Sequence, residues 1–351
     1  MSWARARTRE RASGRALPWL TVEVALYTVI VVVGLAVRFA ALERWPLSRA
    51  EADTALAALR TLRGSAWRPR YYAPLLYDAD LLLFALTRAT DATARLLPAL
   101  VGGLMPLLAY GARPLLGRAG ALGAALLVAL SPSWVYLSRL GDGSLLATGA
   151  CALLLLALWR YTRGRDPRDA RLGTAALALG VVAGPGICTL LIAGAVLGYG
   201  AWRLGWASAE VGRIAGALKA AASRRNLLIL AGLWLALASA LWVNPAGIGA
   251  TVELAGRWFR ELAPGATGLG WLSLPKTLVV YEPLTLTLAL VGAIWGLWRR
   301  DKLDAFRVAR PCEIRQPKSH KRHRGVSWFL DLLLPLVLLA ARGVERLWRR
   351  L

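Results

Sequence analysis

The residues able to do chemistry are few in this chain of 351 residues, 57% of them hydrophobic. Glu51 and Asp53 follow a long apolar run, within PLSRAEADTALAALRTLRG, and Asp142 lies in SRLGDGS. A positioned carboxylate can take a proton from a hydroxyl group and so speed its attack by about 10²–10⁴-fold. Glu51 or Asp53 is expected as such a base, with Asp142 orienting it or holding a divalent cation, Mg or Mn. Arg257 and Arg260 sit one helical turn apart, and Arg139 precedes Asp142 by one short turn; guanidinium groups so placed suit a phosphate. Asp78 and Asp80, in YYAPLLYDADLLLFALTRA, can add acceptors for a substrate. Two residues apart, they do not share a helix face, so at least one is expected to be solvated.

Long apolar runs must position these groups. Residues 19–42 form the first expected span, and further spans are expected at 95–112, 118–137, 144–161, 170–183, 185–202, 226–243, 279–297 and 327–342. Together they make an all-α polytopic membrane protein of about nine transmembrane helices in a single domain covering 1–351. Segment 71–88 is excluded as a span because Asp78 and Asp80 interrupt it, at roughly 3 kcal/mol for each carboxylate sunk to bilayer depth. It is expected to be a short juxtamembrane helix, as is EADTALAALRTLRG, whose helical spacing of Ala and Leu ends at Gly64. In the loop 244–278, VELAGRWFREL sets Leu254, Trp258, Phe259 and Leu262 toward one side of an interfacial helix.

Charge orients the bundle. The net charge is +24, and the arginines cluster between the apolar runs. That pattern assigns them to cytoplasmic loops and anionic lipid headgroups rather than to nucleic acid. The basic N-terminus 1–18 and the loops 113–118, 159–171, 203–225 and 298–325 then lie in the cytoplasm, and 43–94, 138–143 and 244–278 outside. Glu51, Asp53, Asp78, Asp80 and Asp142 all fall on the external side. A small-solute transporter needs charges at mid-membrane depth, whereas Glu23, Arg38 and Asp331 lie near span ends. His320 and His323 stand in a run of Lys and Arg and read as part of a headgroup-binding loop. Cys151, Cys188 and Cys312 have no metal or redox spacing and read as small apolar fillers.

Residues 74–163 resemble the GT-C membrane glycosyltransferases. The resemblance is most specific from Asp91 to Arg160, where TDATARLLPALVGG, SPSWVYLSR and LALWRYTRG are similar to the DATARLLPAL, SPS-x-VYxSR and ALWRY runs of the flippase-activity-associated family. SWFLDLLLPLVLLAARG resembles that family's late Trp…Leu-Pro-Leu…Leu-Ala helix. The resemblance implies a plasma-membrane protein that moves a sugar from a polyprenyl-phosphate donor to a lipid or protein acceptor on the external face. The alternative is a non-catalytic relative that binds polyprenyl-linked sugars or assists their flipping. The family's acid pair after Pro-Leu falls on Ala50 and Glu51, its second external acid falls near Asp142, and YDAD replaces its His-Gly-Pro.

Overall fold

The computed structural model describes residues 21–65, 72–203, 208–262, 279–298, 335–342 and 344–345. Most of these residues are helical, and there is no strand among them. Residues 327–334 of the last expected span (327–342) and the basic run with His320, His323 and Cys312 lie outside the described residues, while 335–342 are helical.

α1 (Val22–Phe39) starts from Thr21, whose hydroxyl accepts the Val24 amide at 3.3 Å. α2 (Arg49–Leu62) and α3 (Pro74–Leu86) are the two short helices of the first long loop. α2 stops before Gly64, which takes the left-handed φ of 80° that a residue without a Cβ adopts readily. At 13 residues, α3 reaches only about 20 Å, short of the ~30 Å hydrocarbon core. Four short pieces follow: α4 (Asp91–Ala94), α5 (Leu96–Leu104), α6 (Pro106–Gly111) and α7 (Arg113–Leu116). Next come α8 (Arg118–Leu130) and α9 (Pro132–Ser138), bent by 55° at Ser131. α10 (Gly143–Gly164), α11 (Pro167–Ala183), α12 (Gly186–Arg203), α13 (Ser208–Ala221), α14 (Arg224–Ala238), α15 (Gly247–Leu262) and α16 (Pro283–Trp298) complete the described order.

Among the described residues two helices, α1 and α10, are by themselves long and apolar enough to cross a membrane. Counting the bent pairs α8–α9 and α13–α14 as one span each raises the number to four. Other expected spans correspond to shorter helices, such as α11 with 17 residues and α16 with 16. Residues 208–221, expected within a cytoplasmic loop, form the helix α13, which meets α14 at 65°.

Small side chains set the packing. Ala121, Ala124, Ala125 and Ala129 on α8 lie in one core with Trp134, Leu145 and residues 336–341. A second cluster joins α2, α3 and α15 through Ala57, Ala58, Tyr77, Phe84 and Ala250. Leu76 of α3 packs with Leu146, Ala147 and Ala183 in a third, so α3 bridges the loop helices and the α10–α11 hairpin.

The helices turn at two opposite ends. At one, Glu23 pairs with Arg113 at 2.9 Å and Arg118 at 3.4 Å, Arg160 with Asp169 at 3.1 Å, and Glu345 accepts the Gly120 amide at 3.0 Å. At the other, the end of α1, the helices α2 and α3, the α9–α10 turn, the α11–α12 turn and the start of α15 come together. The Asn244 amide there reaches the Tyr72 hydroxyl at 3.3 Å, and the Trp258 indole N–H donates to Thr189 Oγ1 at 2.9 Å.

Candidate functional site

Ser48 and Glu51 make a reciprocal cap at the start of α2: Ser48 Oγ accepts the Glu51 amide at 3.4 Å, and Glu51 Oε2 accepts the Ser48 amide at 2.7 Å. The same carboxylate faces inward, with Glu51 4% exposed. Arg95, at the junction of α4 and α5, meets it side-on through Nε–Oε1 and Nη2–Oε2, both at 3.0 Å. The three remaining guanidinium hydrogens go to the carbonyls of Leu42, Trp45 and Pro46 at 3.1, 2.8 and 3.2 Å. All five donors of Arg95 are therefore used, and the chain between α1 and α2 is drawn onto it.

Glu51 Oε1 has a further donor, the amide of Gly141 at 2.5 Å. Each carboxylate oxygen thus accepts twice. Burial by itself raises this group's pKa, but Arg95 and the Gly141 and Ser48 amides outweigh that and hold it below the usual range. A saturated carboxylate of lowered pKa is a poor proton acceptor. In position and bonding, Glu51 joins three loops rather than facing a reactant.

What Glu51 fixes is the turn that carries Asp142. A Cβ on Gly141 would meet Glu51 Cγ and Oε1 at 3.3 Å, and one on Gly143 would collide with the Ala183 carbonyl and the Ala73 side chain. The two glycines let the turn lie against α2 on one side and against the α11–α12 hairpin and α3 on the other. Between them Asp142 is exposed. It caps α10, accepting the Ser144 amide at 3.3 Å and the Ser144 hydroxyl. Asp53 is also exposed, on α2 two residues beyond Glu51.

The other expected residues divide. Arg139 donates to the carbonyls of Val37 and Ala41 at 3.2 and 3.0 Å and so caps the end of α1. Arg257 is half-buried and Arg260 exposed on α15. That helix sits at the same end of the bundle as Asp142, tied by the Trp258–Thr189 bond and by Ala250 in the α2–α3 cluster. Leu254 and Trp258 face inward as expected, but Phe259 is 65% exposed. It lies about 100° around the helix from Trp258, which turns it off the buried stripe.

Asp78 and Asp80 depart most from expectation, because neither carboxylate is solvated. Asp80 is buried, and its Oδ1 has no hydrogen-bond partner among the described residues; both carboxylate oxygens of Asp78 are likewise enclosed without one. Burial pushes Asp78 up to about 7, with the Ala240 amide, near its carboxylate but outside hydrogen-bond geometry, offsetting part of the rise, and Asp80 up to about 8. Packing on both sides of α3 accounts for this: α2 covers one face, while α11 and α14 lie against others.

Among the described residues no three of His, Cys, Asp and Glu gather where they could hold a metal ion. Asp142 offers one carboxylate with part of its capacity committed to Ser144. This donor set does not fit a protein-held divalent cation.

Sequence reasoning missed three buried charges. Arg95 lies inside DATARLLPAL, where a lone Arg at the start of an apolar run is the signal that could have marked it. Arg38, read as a span-end charge, is fully buried in the last turn of α1 and donates to the carbonyls of Gly34, Val128 and Ala129. Glu282 is buried against the α8–α9 bend.

The fold and this end of the bundle define an all-α class with known structural likenesses. The chain is similar to an archaeal oligosaccharyltransferase, AglB from Archaeoglobus fulgidus, in complex with an inhibitory peptide and a dolichol-phosphate: TM-score 0.62 and 12% identity over 93% of this chain and 50% of that one. The apo form of the Archaeoglobus fulgidus oligosaccharyltransferase gives 0.63 and 12% over 94% and 51%. Its complex with Zn and sulfate gives 0.55 and 14% over 93% and 49%. The likeness is one of fold, and this chain spans about half the length of those it matches. No protein-family model and no curated protein matches the sequence.

Proposed function

We propose that this protein is a multi-pass membrane glycosyltransferase of the GT-C type, with its N-terminus in the cytoplasm. It takes a sugar from a polyprenyl-phosphate donor and passes it to a lipid or protein acceptor on the external face. The observation that carries this reading is the exposed carboxylate of Asp142, held beside a saturated Glu51–Arg95 pair at one end of an oligosaccharyltransferase-like bundle.

In this reading Asp142 accepts the proton of the acceptor hydroxyl, with Asp53 as the second exposed acid at hand. The acceptor oxygen bonds to the anomeric carbon as the bond from that carbon to the phosphate oxygen breaks. Polyprenyl phosphate leaves with the electron pair, and a single displacement inverts the configuration. Arg257 and Arg260 meet the phosphate, while Arg139 serves as a cap of α1. Asp78 and Asp80 are enclosed in the packing of α3 and reach a substrate only after its neighbours part.

The full chain in proteoliposomes, given labelled polyprenyl-phosphate hexoses and a lipid or peptide acceptor, tests the reading. Asp142→Asn is expected to lower transfer at least about 100-fold, in line with loss of a general base, and Asp53→Asn to lower it less. Unchanged transfer in Asp142→Asn would end the assignment.

A second reading, a relative that binds the donor without turning it over, is favoured by one observation. The position matching the family's first acid is exposed Ala50, and the adjacent acid Glu51 is consumed in its ion pair. Donor binding without transfer in the unmodified protein would select it.

A further inference from the structure

The bend between α8 and α9 is held from both sides by buried charges of opposite sign. Breaking a helix leaves carbonyls without partners on one half and amides on the other, with partial negative charge at the first end and positive at the second. Arg38 meets the first: Nη1 donates to the Ala129 carbonyl at 2.9 Å and Nη2 to the Val128 carbonyl at 2.8 Å. Glu282 meets the second: Oε1 accepts the Ser133 amide at 3.1 Å and the Ser131 hydroxyl, and Oε2 accepts the Thr285 hydroxyl at 2.7 Å. Arg38 is 0% and Glu282 2% exposed. Gly102 leaves the room that Arg38 needs, since a Cβ there would lie 3.0 Å from Nε and would overlap Ser138.

These charges act at a distance because α9 is a short rigid arm. Its seven residues extend about 10 Å, from the bend to the turn that ends in Asp142. A tilt of roughly 10° at the bend moves the far end by about 2 Å, and a displacement of ~1 Å can cost a reaction about 100-fold. Arg139 and Glu51 grip the far end, whereas Arg38 and Glu282 set the angle at the near end.

We infer that Arg38 and Glu282 are positioning residues that fix the direction of α9 and, through it, the place of Asp142. The use of that placement rests on the transferase reading; the placement itself does not, so two readouts separate them. Spin labels at Tyr136→Cys and Leu56→Cys, both exposed positions, in full-length protein with its three native cysteines replaced by alanine, report the distance from α9 to α2. Glu282→Ala is expected to shift or broaden that distribution by about 2 Å or more, and Glu282→Gln, which keeps an acceptor oxygen, to restore much of it. Thr285→Ala and Arg38→Lys, milder changes, are expected to give smaller shifts if the alanine variant does not fold. In transfer assays Glu282→Ala is expected to lower kcat at least 10-fold with KM changed less than 2-fold, and Glu282→Gln to recover most of the loss. A distance distribution identical to the parent's in every folded variant overturns the inference. A shifted distribution with unaltered transfer keeps the clamp and sinks the role of Asp142.

Discussion

Glu51 accepts the amide of Gly141 at 2.5 Å while Arg95 closes on its two oxygens. A side chain in the first turn of α2 therefore fixes the backbone 90 positions further along, next to the exposed Asp142. Buried ion pairs often fail to repay their desolvation, and this one succeeds only because every remaining donor and acceptor is matched. Breaking it from one side should cost about 3–5 kcal/mol, because the other charge is left buried and unpaired. Glu51→Ala and Arg95→Ala are each expected to lose that much in denaturant unfolding. The double variant should lose clearly less than the sum, and strict additivity would show that the two act separately.

The pair also sets an acid limit. The pKa of Glu51 is held below its unfolded value, near 4.3 for Glu, so its contribution is complete above that pH and fades as pH falls through the folded value. Thermal unfolding in detergent should drop below about pH 4 in the parent. The drop should flatten in Glu51→Gln; a parent profile level down to pH 3 contradicts the assignment.

Asp80 gives the opposite slope. Its pKa rises to about 8 on burial, so the folded state binds more protons than the unfolded state between about pH 4 and that value. The contribution of Asp80 is then most favourable below pH 4 and declines as pH rises to about 8, opposite in direction to that of Glu51. Asp80→Asn keeps the size, removes the titration and is expected to raise the melting temperature at pH 8 while leaving it nearly unchanged at pH 4. Equal effects at both pH values would mean that the carboxyl does not titrate in this window.

Much of this arrangement was legible in local pattern. The helix ending at Gly64 and the buried side of α15 at Leu254 and Trp258 follow from periodicity and chain punctuation; α3 is short as expected, although its two acids are enclosed rather than solvated. The Glu51–Arg95 pair was not legible, because its partners are 44 residues apart and most of the Arg95 bonds go to backbone carbonyls, which carry no residue type. Glu51 was expected as a base open to a substrate; its burial comes from Arg95 and the Gly141 turn closing on it from other loops. Phe259 misled for the reverse reason: its hydrophobicity suggested the buried stripe, but its angle around α15 turns it outward. The expected resemblance rested on DATARLLPAL as a run of residues and said nothing of Arg95 as the centre of the loop packing.

The SRLGDGS turn makes a steric prediction. Gly143 faces the Ala183 carbonyl and Ala73 too closely for any side chain, whereas a Cβ on Gly141 would be 3.3 Å from atoms of Glu51 that can shift slightly. Gly143→Ala is expected to destabilise by about 1–3 kcal/mol, typical of an extra methyl in a full site, and Gly141→Ala by less. The reverse order in denaturant unfolding would mean that the turn is packed differently.

The turn after α14 holds three residues without glycine's freedom in the left-handed region, Ala240 at φ 48°, Leu241 at 53° and Trp242 at 74°. Such a conformation costs roughly 1–2 kcal/mol per residue, offset here by bonds from the Trp242 amide to Ser239 Oγ at 3.1 Å and from the Asn244 amide to the Ser239 carbonyl at 2.9 Å. Leu241 is 77% exposed, so replacing it loses little packing within the chain. Leu241→Gly removes the clash between Cβ and carbonyl that makes the left-handed conformation costly, and it is expected to stabilise the protein by up to about 1 kcal/mol in detergent despite glycine's greater unfolded entropy. Leu241→Pro, which fixes φ near −65°, should destabilise it. If Leu241→Gly is less stable than the parent, the side chain holds the turn through contact with detergent or lipid, and the strain at this position is outweighed.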